Sequence, residues 1–307
     1  MSRDGRDDDA RADAHTSGSR TPERPDAGRT QPIDARTARP SVPMDRLVLP
    51  RGPERQPVLA RGHVYRLRES EARALATVGT FRVVRADDLQ PMRTSRDAWS
   101  GDVRALADQG LVQIRTVEVN RESTAVVVLT RAGKDVLETH RAVEAQRGQS
   151  FHAGLVKPKE IAHDSQMYRL YQAEAARIEA EGGRVTRVVL DYELKREYQC
   201  FLHRPDCPDD ADRADEIEKF SAISGLPIID GHLELPDLRI EYEDAEGRFQ
   251  YRDVELVTEH YSRGQLAGKS AAGFALYRAA GAGRARGTGS SQPGGTPFDP
   301  HHLEWLS

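Results

Sequence analysis

The chain has 307 residues, a formal net charge of −4 and a mean hydropathy of −0.67, which suits two ordinary domains plus tails, because single cores seldom grow past ~250 residues. Its slight acidity excludes a protein that coats nucleic acid through a global basic field, so DNA contact has to come from locally placed Arg. Two cysteines exclude a disulfide scaffold, and without a secretory apolar segment or a run of ~18 apolar residues the composition predicts a soluble, cytoplasmic protein with no membrane partner.

Residues 1–62 are rich in Arg, Asp, Pro, Ala and Thr, with Leu47, Val48 and Leu49 as one small apolar knot. Such a segment buries too little apolar surface to offset its ordering entropy, which predicts a disordered tail. The 11 Lys and Arg against 10 Asp and Glu over residues 1–60 make it a solvated tether rather than a basic arm. Residues 63–141 then predict helix, helix, helix, strand, strand, helix. Ala72, Leu75 and Ala76 have helical spacing within 69–78, and a short second helix over 85–89 is stopped by Pro91. Ser95 caps a third helix running to Gln109, with Gly110 as its stop. Strands over 111–118 and 124–129 flank a polar loop at 120–123, and Thr130 caps a last helix through His140.

This order is that of a winged helix-turn-helix. On its third helix Trp99, Val103 and Leu106 form an apolar stripe, which leaves Arg93, Arg96, Ser100 and Arg104 on the opposite face. That face is the expected reader of duplex DNA in the major groove, with Arg121 on the wing tip reaching the flanking backbone. Asp97 and Asp102 flank the face and repel phosphate, while residues 61–148 carry 15 Lys and Arg against 12 Asp and Glu. A rival reading makes the module a dimerisation or protein-docking unit with a solvated Arg face.

After a linker at 142–158, residues 159–280 form the second expected domain. A long helix over 160–181 buries Met167, Leu170, Tyr171 and Ile178 and ends at Gly182-Gly183, and a strand follows over 185–190. Beyond Glu193 and a short helical stretch, residues 201–219 hold seven Asp and Glu against three Lys and Arg and read as an irregular excursion. A hairpin then joins 235–242 to 249–257 through 244–247, and a helix is predicted over 265–278. Residues 281–307 read as a flexible tail ending in an apolar stretch that is either a docking peptide or a frayed end.

Helix, strand, acid-bearing hairpin and Lys-bearing helix is the order of a restriction-endonuclease-like core. The fold class expected is therefore α+β: an N-terminal winged helix-turn-helix and an α/β nuclease-like domain between disordered tails. Asp237 and Glu255 are the candidate ligands for Mg²⁺, which prefers oxygen donors. Lys269 is the candidate cation opposite the developing phosphate charge, Glu193 a third carboxylate, and His163 a residue at the rim. Aligning the apolar faces of the hairpin pairs Tyr242 with Phe249 and Ile240 with Tyr251, which sends Asp237 and Glu255 to opposite sides. Only a bulge or an odd-length loop brings them together. Zinc at Cys200, His203 and Cys207 is disfavoured, because the fourth ligand would have to be His232 or Asp206, at no finger-like spacing. Asp206, Asp209, Asp210 and Asp212 lack the Gly and distal Glu of a calcium loop. No phosphate-cradling glycine loop or nucleophilic serine motif is present.

The run Leu129-Thr130-Arg131-Ala132-Gly133-Lys134-Asp135-Val136-Leu137 resembles the LTxxGxxxL start of the last helix in bacterial winged-helix regulators. Over residues 63–280 the two halves in this order resemble the replication-relaxation family of bacterial mobile elements, whose second half has a PD-(D/E)xK-like pattern. The matching residues are His163, Glu193, Leu235-Pro236-Asp237, Val254-Glu255, Thr258, Lys269 and Tyr277. The resemblance implies a role in plasmid or integrative-element replication, mobilisation or maintenance, with duplex DNA and a relaxase or replication protein as partners, or a homodimer. It also implies an Mg²⁺-dependent endonuclease. Val257 stands where the motif has Lys, so catalysis requires Lys269 as a migrated lysine. The other reading is a non-catalytic regulator or adaptor whose nuclease-like half binds DNA or a protein partner.

Overall fold

The computed structural model describes residues 42–89, 96–119, 122–142, 148–205, 212–258 and 261–278, with backbone alone for 96–100 and 159. It is a mixed α+β structure. A hairpin of β1 (Gln56–Ala60) and β2 (His63–Leu67) leads into α1 (Glu69–Phe81), followed by β3 (Val84–Arg85), a 3₁₀ turn at Ala86–Leu89 and α2 (Arg96–Asp108). Strands β4 (Val112–Val119) and β5 (Glu122–Leu129) precede α3 (Arg131–Thr139). The second half holds α4 (Pro158–Ala180), β6 (Arg184–Leu190), α5 (Asp191–Leu202), α6 (Arg213–Ser224), β7 (Ile228–Ile229), β8 (His232–Leu233), β9 (Leu238–Glu243), β10 (Phe249–Val257), α7 (Arg263–Ala271) and β11 (Ala275–Arg278).

Local chemistry explains the first half. Glu71 accepts the Arg68 N–H at 3.1 Å and closes the start of α1. Val103 and Leu106 of α2 are buried beside Leu75 and Ala76 of α1. Thr130 caps α3 by accepting from Gly133 N at 3.1 Å, and its hydroxyl donates to Leu111 O at 3.0 Å. Gly133 has to be glycine there, since a Cβ would stand 2.2 Å from Leu111 O. Strands β3, β5 and β4 form one antiparallel sheet in that order.

In the second half β11, β10, β9 and β6 form a four-stranded sheet. Strands β6, β9 and β10 are antiparallel neighbours, and β11 joins β10 in parallel after the α7 crossover. Val188, Leu238, Ile240, Val254 and Leu256 cluster with Met167, Leu170, Tyr171 and Ile178 of α4 in one core. That core continues into the first half, where the Phe81 ring lies 5.2 Å from both Tyr168 and Tyr171. No helix among the described residues is long and apolar enough to cross a membrane.

Four expectations need correction. Residues 42–62 are not a tether: Val42, Met44, Leu47, Leu49, Val58 and Ala60 are buried, and Arg61 (φ 45°) with Gly62 (φ 80°) makes the two-residue turn between β1 and β2. The 142–158 linker is partly a staple. Phe151 is in the core, and the Gln149 amide bonds both backbone groups of Val188, 2.7 Å to its oxygen and 2.9 Å from its nitrogen. The acidic excursion contains α6, where Asp212 is the N-cap, 2.8 Å from Ala214 N, and Asp215 and Glu216 occupy the first turn. Acids there complement the unsatisfied N–H groups of a helix start. The last helix stops at Ala271, because Gly273 turns the chain at φ 79° and Ala275–Arg278 pairs as β11. Tyr277 therefore sits in the sheet, buried in the core, with its hydroxyl donating to Glu174.

Candidate active site

Side chains alternate across a strand, so the register of β9 against β10 decides whether two acids meet. The observed pairs are Glu243 with Phe249, Tyr251 with Glu241, Arg252 with Ile240 and Val254 with Leu238. This is one residue away from the register that apolar matching predicts. The loop between the last paired residues is 244–248, an odd length closed by Asp244, whose side chain accepts from the N–H groups of Glu246 and Arg248. Continuing the ladder by one step sets Asp237 opposite Glu255. Their bonds are reciprocal: Asp237 N donates to Glu255 Oε2 at 3.1 Å, and Leu256 N donates to Asp237 Oδ2 at 2.8 Å.

Lys269 completes the group from α7. Its Nζ lies 3.3 Å from Glu255 Oε1 and 3.2 Å from Glu234, and donates to Leu235 O at 2.7 Å. Val257, in the place of the motif lysine, is instead buried with Leu266, Phe274 and Leu276. This small cluster seats α7 against β10 and β11, and so delivers Lys269 to Glu255. Glu255 is only 2% exposed. Burial and the facing charge of Asp237 push its carboxyl up to about 7, against the opposing pull of Lys269 and the Tyr261 hydroxyl.

His163 on α4 reaches Asp237 Oδ1 at 3.2 Å with Nε2 and Asp164 Oδ1 at 3.2 Å with Nδ1. Burial alone would lower its pKa, but the bonds to Asp164 and Asp237 outweigh it and raise the imidazole to about 10. Asp164 in turn meets Arg82, just past the end of α1, at 3.2 Å. A continuous polar chain thus runs from the first half through Arg82, Asp164 and His163 to Asp237. Arg82 holds a positive φ of 63°, a conformation uncommon for a residue with a Cβ.

Glu193 does not join the pair as a third acid. One of its oxygens accepts the Leu190 N–H at 3.4 Å and the other faces Arg187 at 3.6 Å, at the start of α5. Burial holds its carboxyl above the usual range. The residue that sequence reasoning missed on this side is Lys195, one turn along α5. It bonds Asp191 at 2.7 Å with a side chain 59% exposed. Burial lowers its pKa, yet Asp191, Asp237 and Glu255 together raise it. The i,i+4 spacing of Asp191 and Lys195 was the available signal. Tyr261, which donates to Glu255 Oε1, had none.

Two opposed carboxylates suit a hard cation that keeps several waters, as Mg²⁺ does when one or two acids and a phosphate hold it. The raised Glu255 carboxyl is compatible with this fit: burial is the larger cause, and a divalent cation between the two acids would offset the second, the facing charge of Asp237. Among the described residues no group of three or more His, Cys, Asp or Glu is arranged to hold a metal ion. Cys200 and His203 are exposed near the end of α5, while Asp206 and Cys207 lie outside the described residues.

Of the expected DNA-facing residues, Arg104 is exposed on α2. The side chains of Arg96 and Ser100, and the residues Arg93 and Arg121, lie outside what the structure describes. Asp102, expected to repel phosphate, is instead paired with Arg68, whose Nε donates to it at 3.1 Å. Compared with protein-family models, curated proteins and solved structures, the chain matches none of them.

Proposed function

We propose that the chain is a DNA-processing protein of a plasmid or integrative element, in which a winged-helix half holds duplex DNA and a restriction-endonuclease-like half cuts its backbone with Mg²⁺. The observation that carries this reading is the meeting of Asp237, Glu255 and Lys269, which are far apart in sequence, on one side of the β9–β10 hairpin. The strand order, with an antiparallel β6–β9–β10 run and a parallel β11 after α7, supports the nuclease-like half. The order of α1, a 3₁₀ turn, α2, the β4–β5 hairpin and α3 supports the winged helix. The setting in a mobile element rests on the resemblance to replication-relaxation proteins.

Each residue has a role. Asp237 and Glu255 hold the cation, which when bound supplies charge neutralisation and an acidified water. Lys269, fixed by Leu235 O and Glu255, holds a positive charge where the phosphate gains negative charge. His163 orients Asp237, and Tyr261 orients Glu255. Lys195 presents an exposed ammonium at the rim to draw in the DNA backbone.

The test is incubation of the full chain with supercoiled and linear DNA in Mg²⁺ or Mn²⁺, beside Asp237→Ala, Glu255→Gln and Lys269→Ala. The expected outcome is metal-dependent cleavage lost in all three variants. Absence of cleavage by the wild type removes the enzyme. A second reading has its own support: Asp237 already has His163 as a partner and Glu255 has Lys269, the pairing expected of a site that holds DNA or a relaxase without cutting. Retained duplex binding without cleavage would select it.

A further inference from the structure

The side of the sheet that carries Asp237 and Glu255 also bears a cavity of about 370 Å³, further along the same strands and beneath α5 and α6. Its floor is Arg187 of β6, Arg239 and Glu241 of β9, and Tyr251 of β10; Phe220 and Ile223 of α6 form a wall. Nothing in the catalytic reading uses this space.

The floor is built to meet hydrogen-bonding edges. Arg187 is nine-tenths buried, and its Nη1 donates to Glu241 at 3.2 Å. Its Nε is buried with no partner among the described residues, a state that normally calls for an acceptor. Glu193 and Glu197 face Arg187 at 3.6 and 3.7 Å. Arg196 and Arg239 line the cavity beside Arg187, against Glu197 and Glu241, so the lining is of mixed charge and the group that enters offers both donors and acceptors. The wall asks for a flat, apolar-faced group. Arg239 is spent on Asp253, at 2.7 Å through both Nε and Nη2, and lies over the Tyr251 ring at 4.4 Å. Arg239 holds one face of Tyr251, which remains 37% exposed and lines the cavity together with Ile223.

Position completes the argument. Asp237, Arg239 and Glu241 share one strand face, so the cavity begins ~7 Å from Asp237 and reaches ~14 Å from it. We propose that the cavity receives one unstacked nucleobase of the DNA strand whose phosphate meets Asp237 and Glu255, read at its edge by Arg187 and Glu241 and stacked on Tyr251. The proposal rests on the DNA-processing reading above, and it adds recognition of a single base beside the phosphate.

The test uses the full chain in EDTA, so that cleavage plays no part. Each of the four deoxynucleoside 5′-monophosphates is titrated by ligand-detected NMR, with deoxyribose 5-phosphate as competitor. At least one nucleotide should bind, the sugar phosphate should not displace it, Tyr251→Ala should weaken it about tenfold, and Tyr251→Phe should bind within about twofold of wild type. Displacement by the sugar phosphate, or wild-type affinity in Tyr251→Ala, overturns the pocket. Cleavage without mononucleotide binding overturns the pocket and leaves the nuclease standing. Binding without cleavage supports the pocket and removes the nuclease.

Discussion

Glu71 in the first half and Glu255 in the second are both buried glutamates, 0% and 2% exposed, in opposite electrostatic company. Glu71 faces cations. Arg55 grips it through Nε and Nη2 at 2.9 and 2.6 Å, and Arg68 adds its N–H and a guanidinium at 3.7 Å. Glu255 faces Asp237, another acid, with one cation, Lys269, at 3.3 Å, and burial first and Asp237 second push it up to about 7. A buried charge given complementary partners serves the fold, whereas one held against a like charge stores a penalty that a ligand can relieve. Burial alone therefore does not separate structure from function; the added like-charged neighbour of Glu255 does.

The comparison breaks most sharply on activity. Glu255→Gln should lower metal-dependent cleavage by roughly 10²–10³-fold per folded molecule, while Glu71→Gln should leave it within about threefold. Single-turnover cleavage, normalised to the folded fraction from circular dichroism, measures both. Equal losses in the two variants would mean that Glu255 is another structural acid.

Stability should show the reverse ranking. Glu71→Ala removes a helix cap and the carboxylate partner of Arg55, while Arg68 keeps Asp102, at a cost of roughly 1–3 kcal/mol. Arg55 is half exposed and can turn to water, which keeps the figure below that of a fully buried pair. Urea unfolding checks the value, and a change below ~1 kcal/mol would contradict the assignment of Glu71 as the anchor of α1.

How legible this contrast was in the sequence depends on the residue. Asp237, Glu255 and Lys269 were readable as a set, because the spacing of acid-bearing hairpin and Lys-bearing helix carried them. Their meeting was not, because the register argument assumed that one side of the hairpin is apolar and the other faces water. On β9 and β10 the polar side is itself covered: Arg239 is 3% exposed and paired with Asp253 beneath the end of α6. Apolar matching then misleads by one residue, since the buried ion pair fixes the ladder. The 42–62 segment failed for a related reason. Its apolar residues are sparse, but Leu47, Leu49, Val58 and Ala60 all turn inward, and a density criterion misses alternation. The helices α1, α2, α3 and α4 were plain from their spacing, and Thr130 announced the start of α3, while Ser95, the expected cap of α2, lies outside the described residues. Tyr261 and Lys195 became visible only once the chain folded.

A smaller effect sharpens the contrast through pH. The Glu255 carboxyl lies near 7 in the folded chain against an ordinary value of 4.5, so the folded state binds more protons between these limits. This group's contribution to stability is fully present below about pH 4.5 and is lost as pH rises through about 7. Glu255→Gln abolishes that loss and should be more stable than wild type at pH 8, by on the order of 1–3 kcal/mol, with the gain vanishing near pH 4.5. Thermal melts at the two pH values decide it, and a gain independent of pH would point to packing rather than charge.

The mildest comparison sets two cations of similar exposure side by side: Lys195, 59% exposed beside the Asp237–Glu255 pair, and Arg55, 46% exposed on Glu71. Both bond a carboxylate, yet under the proposed function only Lys195 stands at the site that meets the phosphate. Lys195→Ala should change stability by less than about 0.5 kcal/mol, as exposed pairs do, but weaken duplex binding several-fold and reduce the salt dependence by about one counterion. Arg55→Ala should lower stability by about 1 kcal/mol or more and leave DNA affinity and its salt slope unchanged, because Glu71 lies inside the fold. Fluorescence anisotropy with a labelled duplex across a salt series, read beside urea unfolding, separates the two. If Lys195→Ala and Arg55→Ala moved the same observable, the distinction between a cation that neutralises the protein's own acid and one that awaits the ligand would fail at this site.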